Sequence, residues 1–199
     1  MTFMTRVLLF SLLTLSNCSS FDLGYFDIVR GALKTNKIEN LEPFIANKFS
    51  FIRLTKGKNQ AILVLSDYDN GIETWVGSGE ETLVTAKGVI LFSDGLEYNV
   101  QQHEPIVFQE NIYLNRFSTY TSFDRPSLKY VQSIYIKQNS KHKKRLDCKG
   151  ASHSYKRTIE SIRYKDDLII CLNENQIVES SVQKIHPWDE EIKIEFFYM

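Results

Sequence analysis

The sequence predicts an all-β fold, an antiparallel sandwich or partly open barrel with one short N-terminal helix, and three observations lead to it. Beyond Pro43 the chain consists of short β-rich runs separated by turn chemistry. The final run, residues 192–198, sets Ile192, Ile194, Phe196 and Tyr198 on one side against Lys193 and Glu195 on the other, the two-residue period of a half-buried strand. No second helical block separates the strands, which argues against parallel βαβ units.

Residues 21–36 space Phe21, Tyr25, Ile28, Val29 and Leu33 near helical periodicity, with Asp22 as a cap, and predict the helix. Residues 49–55 and 60–68 are the first strands. The second is apolar throughout 61–65, as a strand shielded on both faces requires. Asp69-Asn70-Gly71 then predicts a tight hairpin, because Asn and Gly tolerate the positive φ of such turns. Residues 73–77, 82–86 and 89–92 continue the meander through turns at Gly77-Ser78-Gly79 and Lys87-Gly88, and Ser93-Asp94-Gly95 turns the chain again. Runs at 111–123, 129–138, 168–173 and 177–185 follow, with a hairpin-like pair around 148–154.

A chain of 199 residues fits one domain. Hydrophobic residues make up 43%, with only nine Gly and four Pro, so a packed core can form. Basic and acidic residues balance at 24 each, which gives no whole-chain attraction to nucleic acid, and no such partner is expected.

The opening has the layout of an export signal, Arg6 followed by an uncharged stretch over 7–15 that is too short to cross a bilayer as a helix. Leu15-Ser16-Asn17-Cys18 resembles the lipobox of bacterial lipoproteins, in which the cysteine becomes the acylated first residue. Ser19, standing where an Asp would favour inner-membrane retention, then implies an outer-membrane anchor facing the periplasm. The competing readings are a secretory signal cut a little later and a buried strand. On the lipobox reading, residues 1–17 are a signal peptide, 18–43 a lipidated tether with the short helix, and 44–199 a single antiparallel β domain. Cleavage would remove Arg6 and leave 23 basic against 24 acidic residues. In an oxidising compartment Cys148 and Cys171 are either a structural disulfide, closing a loop of about 23 residues and worth roughly 3 kcal/mol, or two small buried hydrophobes.

Within residues 49–96 the order Ile52-Arg53-Leu54, an apolar strand at 61–65, Trp75-Val76, Leu83-Val84-Thr85 and a glycine-led run at 88–96 resembles the central block of the YjbF/GfcB family of group 4 capsule and exopolysaccharide lipoproteins. Residues 168–197 are similar to that family's ending, where a strand, a turn and a run reaching Pro187 precede a last strand. Gly77-Ser78-Gly79 and Asn175-Gln176 depart from the pattern. The resemblance implies an all-β, periplasm-facing domain tethered to the outer membrane, working beside polysaccharide-secretion proteins or on glycan.

The residues themselves indicate no enzyme, cofactor or metal. His103, His142, His153 and His186 lack ligand spacing and read as surface or strand histidines. Ser78 lacks the strand-to-helix setting of a nucleophile. Glu80-Glu81, Asp166-Asp167 and Glu190-Glu191 read as solvated turn charges, because neighbours on a strand point to opposite faces rather than across a sugar. The run 140–149 carries Lys141, Lys143, Lys144, Arg145 and Lys149, a candidate contact for acidic glycan, lipid headgroups or a partner, against the plainer reading of a solvated hairpin tip. Tyr68 and Trp75 would stack on a sugar if exposed, whereas aromatics at strand spacing ordinarily fill the core. The leading expectation is a non-catalytic outer-membrane lipoprotein that supports assembly or export of capsule or exopolysaccharide. The alternatives are a polysaccharide-modifying enzyme with two convergent carboxylates, and a carrier of a lipid-linked species in an apolar pocket.

Overall fold

The computed structural model describes residues 41–104, 113–138 and 148–199. Cys18, the helix expected over 21–36, and the basic residues Lys141, Lys143, Lys144 and Arg145 lie outside the described residues.

Among the described residues a helix, α1 (Glu42–Ala46), leads into twelve strands: β1 (Phe51–Lys56), β2 (Asn59–Asp69), β3 (Ile72–Val76), β4 (Thr82–Ala86), β5 (Val89–Asp94), β6 (Val100–Gln102), β7 (Arg116–Asp124), β8 (Ser127–Gln138), β9 (Ser152–Ile159), β10 (Tyr164–Leu172), β11 (Val178–Lys184) and β12 (Glu191–Phe197). Each strand pairs antiparallel with its neighbours in sequence, and β12 pairs with β1 from Phe51 opposite Phe197 to Lys56 opposite Ile192. The result is a closed up-and-down barrel rather than a sandwich. Closure leaves no strand edge unpaired.

The turn chemistry acts where the sequence places it. Asn70 (φ 49°) and Gly71 (φ 79°) make the β2–β3 hairpin, and Lys87 (φ 48°) and Gly88 (φ 82°) make the β4–β5 hairpin, both with the two left-handed residues that suit strand twist. The apolar run in β2 is covered on both faces, as its composition requires. Leu63 points into the barrel, while Ile62 and Val64 point outward beneath α1. Phe44 of α1 packs on Phe51, whose other neighbour is Phe197, at ring separations of 5.2 and 4.6 Å. Pro43 stands in the first turn of α1, where a missing N–H costs nothing. Burying Phe44 contributes about 2–3 kcal/mol to holding the helix on the wall.

Inward positions alternate along the strands, and large side chains fill the lumen. Trp75, Leu83, Tyr135, Tyr155, Ile170 and Ile194 are all buried there. The structure departs from the sequence reading in three strands. Residues 152–159 form one strand, β9, rather than half of a hairpin-like pair, because inward Arg157 interrupts the apolar alternation of Tyr155 and Ile159. β10 starts at Tyr164, four residues before its apolar run, since Asp166 faces inward opposite Arg157. β6 spans only Val100–Gln102, too short for periodicity to show.

Candidate functional site

β6 bonds to β5 through a single residue pair, Phe92 with Gln101, so the outer wall dips between β5 and β7. A groove of about 490 Å³ occupies the dip, within the range of small-ligand sites. Its floor includes Phe92, Val100 and Phe123, and its rim carries Asp94, His103, Lys129 and Tyr130.

An irregularity in β8 shapes the rim. Thr121 pairs with Val131 but Phe123 pairs with Leu128, so Lys129 and Tyr130 together oppose Ser122. Leu128 and Val131 both pack against the core, and Lys129 and Tyr130 are both exposed. Without this bulge, a two-residue period would send Tyr130 inward beside Leu128. The bulge instead holds Tyr130 at φ 56° with 66% of its surface exposed. A bulky residue in that region is uncommon and strained. One face of the ring lies 4.9 Å from the ring of His103, whose Nε2 shares a 2.9 Å hydrogen bond with Ser122 Oγ. In the same groove, Asp124 accepts from the Asn99 backbone N–H at 2.8 Å and from its side-chain amide at 2.9 Å, and lies 3.7 Å from the Arg125 guanidinium. The carboxylate of Asp94 makes no hydrogen bond among the described residues and stays exposed.

Behind the floor, Phe123 abuts a buried histidine. His186 is fully buried, ringed by Tyr98, Phe123 and Trp188 at 4.9–5.0 Å. It lies in the bend after β11, so it is neither a surface nor a strand histidine as the sequence suggested. Its Nδ1 accepts the Trp188 N–H at 3.2 Å, which places the ring proton on Nε2, an atom with no hydrogen-bond partner among the described residues. Burial pushes the imidazole below its ordinary value; the carboxylates of Asp124 and Asp189 oppose that shift and Arg157 adds to it. The unfolded chain therefore takes up this proton before the folded one does, and stability should fall as pH drops through and below about 6.5. Urea titrations at pH 7.5 and 5.5 should give a lower midpoint at the acid pH, and His186→Phe should flatten the difference. His153, also lowered by burial and then by Lys137, adds slope of the same sign. An unchanged slope in His186→Phe would contradict the assignment.

Two further polar clusters sit inside the barrel. Arg157 Nε and Nη2 donate to the two oxygens of Asp166 at 2.8 and 2.6 Å, and Nη2 also donates to the Lys184 carbonyl. Burial would lower the guanidinium's pKa, but the Asp166 charge beside it raises it overall. Glu73 accepts from the hydroxyls of Tyr198 (2.6 Å) and Thr85 (2.7 Å), and Thr85 accepts from the Trp75 indole at 2.9 Å. Burial lifts the Glu73 carboxyl above its usual range, partly offset by those hydroxyls.

The residues singled out in the sequence are scattered. Cys148 and Cys171 form a disulfide on the outer wall, packed with Ile169 and Val182. Lys149 pairs with Glu179 at 3.1 Å. Trp75 is core, so it offers no stacking face, whereas Tyr68 is 64% exposed. Glu81 does close the turn before it, accepting from the Gly79 N–H at 2.9 Å, but Asp166 is a buried ion-pair partner rather than a solvated turn charge. Among the described residues no group of three or more His, Cys, Asp or Glu could hold a metal ion. Sequence reasoning missed the groove altogether. The available signal was Leu128-Lys129-Tyr130-Val131, where two core-type residues three apart cannot share a face in a regular strand.

No protein-family model matches this chain, and no curated protein does. Among solved structures, it is similar to the crystal structure of the hypothetical lipoprotein YmcC from Escherichia coli, with a TM-score of 0.59 over 76% of this chain and 87% of that one. At 14% sequence identity the likeness is one of fold.

Proposed function

We propose that this protein is a non-catalytic, lipid-anchored barrel of the YjbF/GfcB type, tethered through Cys18 to the outer membrane and facing the periplasm. There it supports assembly or export of capsule or exopolysaccharide by contact with glycan or secretion proteins. The observation that carries the reading is an outward groove with an exposed aromatic ring on a barrel whose own centre is filled. Enclosed space beside Arg157 amounts to about 10 Å³, roughly one water-sized sphere. That packing disfavours a carrier role, and the apolar recess of about 280 Å³ beside Leu54, Leu96, Ile185 and Ile192 opens between the charged side chains of Lys56, Glu97 and Asp189 rather than forming an enclosed pocket. An enzyme role would need two free carboxylates facing one another across a sugar; Asp166 is committed to Arg157 inside the lumen, and in the groove Asp124 is committed to Asn99 and Arg125, which leaves Asp94 without a second free carboxylate there. The fold shared with a hypothetical lipoprotein supports the anchor, and the Cys148–Cys171 bond suits an oxidising space.

The test is palmitate labelling and fractionation of the full chain in a Gram-negative cell that makes surface polysaccharide. Wild type should carry label in the outer-membrane fraction. Cys18→Ala should lose the label and leave that fraction, and deletion should lower surface polysaccharide. An unlabelled wild type, or surface polysaccharide unchanged on deletion, overturns the reading.

A further inference from the structure

We infer that the groove between β5 and β8 holds an uncharged glycan chain, with one pyranose ring stacked on Tyr130 and with Asp94 and Asp124 accepting its hydroxyls. This rests on reading the chain as a polysaccharide-handling protein. A pyranose presents an apolar C–H face edged by hydroxyl groups, and so asks a site for a flat ring beside fixed acceptors. The groove supplies both.

Tyr130 is the ring. Its inner face is backed by His103, His103 is tied to Ser122, and its outer face is open to solvent. The bulge turns the phenol out and Val131 in: in a regular strand Tyr130 would join Leu128 against the core and Val131 would face outward. Strain kept at one exposed aromatic residue is the pattern of a recognition site. A ring held this way loses little conformational freedom on binding. The acceptors line the same groove. Asp124 is oriented by its two bonds from Asn99 and by Arg125 at 3.7 Å, and Asp94 has both oxygens available. A carboxylate accepts hydroxyl hydrogen bonds more strongly than a neutral oxygen does. The same two groups decide the charge of the ligand. Asp94 and Asp124 are balanced by Lys129 and, 3.7 Å from Asp124, by Arg125, so the groove offers no net positive charge to draw an acidic chain, and the exposed carboxylate of Asp94 would face that chain's own carboxylates.

The test is calorimetric titration of the full chain in detergent with the hexasaccharides of cellulose, laminarin, chitin and mannan, and with an acidic galacturonate hexamer. At least one uncharged hexamer should bind, and the acidic one should bind more weakly. Tyr130→Gly removes the ring while suiting the left-handed backbone, so the bulge survives, and it should weaken binding by about tenfold or more. Tyr130→Phe should stay near wild type. No binding by any uncharged hexamer, equal affinity in Tyr130→Gly, or preference for the acidic hexamer would each overturn the inference. If the anchor is labelled and deletion lowers surface polysaccharide while the titration fails, the groove is wrong and the export role stands; the opposite combination removes the anchor and keeps the groove.

Discussion

Asp166→Ala is expected to destabilise the barrel by about 3–5 kcal/mol, because it strands the guanidinium of Arg157 in a lumen where, among the described residues, no other carboxylate is bonded to it. Both side chains are only 5% exposed, so water cannot take over the lost bonds. Against the few kcal/mol by which domains of this size are stable, such a loss is large. Urea unfolding followed by circular dichroism measures it. Arg157→Met combined with Asp166→Leu should recover most of the loss, since replacing a buried pair by apolar groups of similar volume is often neutral or better. The recovery separates the cost of an orphaned charge from any need for the pair itself. The wild-type pair should also respond little to salt, because screening acts on exposed charges. A loss under about 1 kcal/mol in Asp166→Ala would mean that Arg157 reaches solvent.

Trp75→Ala should cost about 3–5 kcal/mol, as expected for emptying the volume of a buried aromatic. Trp75 is wholly buried, lies edge-on to Phe196 at 5.9 Å and tilted against Tyr198 at 6.2 Å, so Phe196 of β12 and Tyr198 just beyond it would have to collapse to fill the space. Its indole N–H also orders Thr85, which in turn donates to Glu73. Trp75→Phe keeps most of the volume and loses the hydrogen bond, so a smaller loss of about 1 kcal/mol is expected. Fluorescence gives an independent reading. The chain has two tryptophans, and the other, Trp188, is 57% exposed. Trp75→Phe should therefore shift emission to the red. An unshifted spectrum would place Trp75 in water.

Both variants bear on which parts of the fold were legible. Strands whose inward positions are apolar could be read directly. β12 alternates Ile192, Ile194 and Phe196, and β2 shows its two buried faces as an unbroken apolar run. Strands that send polar groups inward could not. Asp166 read as a solvated turn charge because the bond that makes it acceptable inside is supplied by Arg157, nine residues away and on another strand. The same holds for Thr121 and Ser133, which share a 2.8 Å hydrogen bond in the lumen. Likewise, Tyr130 read as one more residue of a regular strand, since its direction depends on where β7 pairs across the bulge.

By itself the sequence determined the strand-rich character, the tight turns at Asn70-Gly71 and Lys87-Gly88, and the double burial of residues 61–65. These follow from backbone preferences and a two-residue period, which are properties of short stretches. Only the tertiary structure decided that the sheet closes, through contacts such as Arg53 with Glu195, 142 residues apart. It also decided that Asp166 is buried, and that Tyr130 stands over a groove. Those outcomes depend on which groups meet across strands, and a side chain's cost or role inside a barrel is fixed by the partner it meets rather than by its neighbours along the chain.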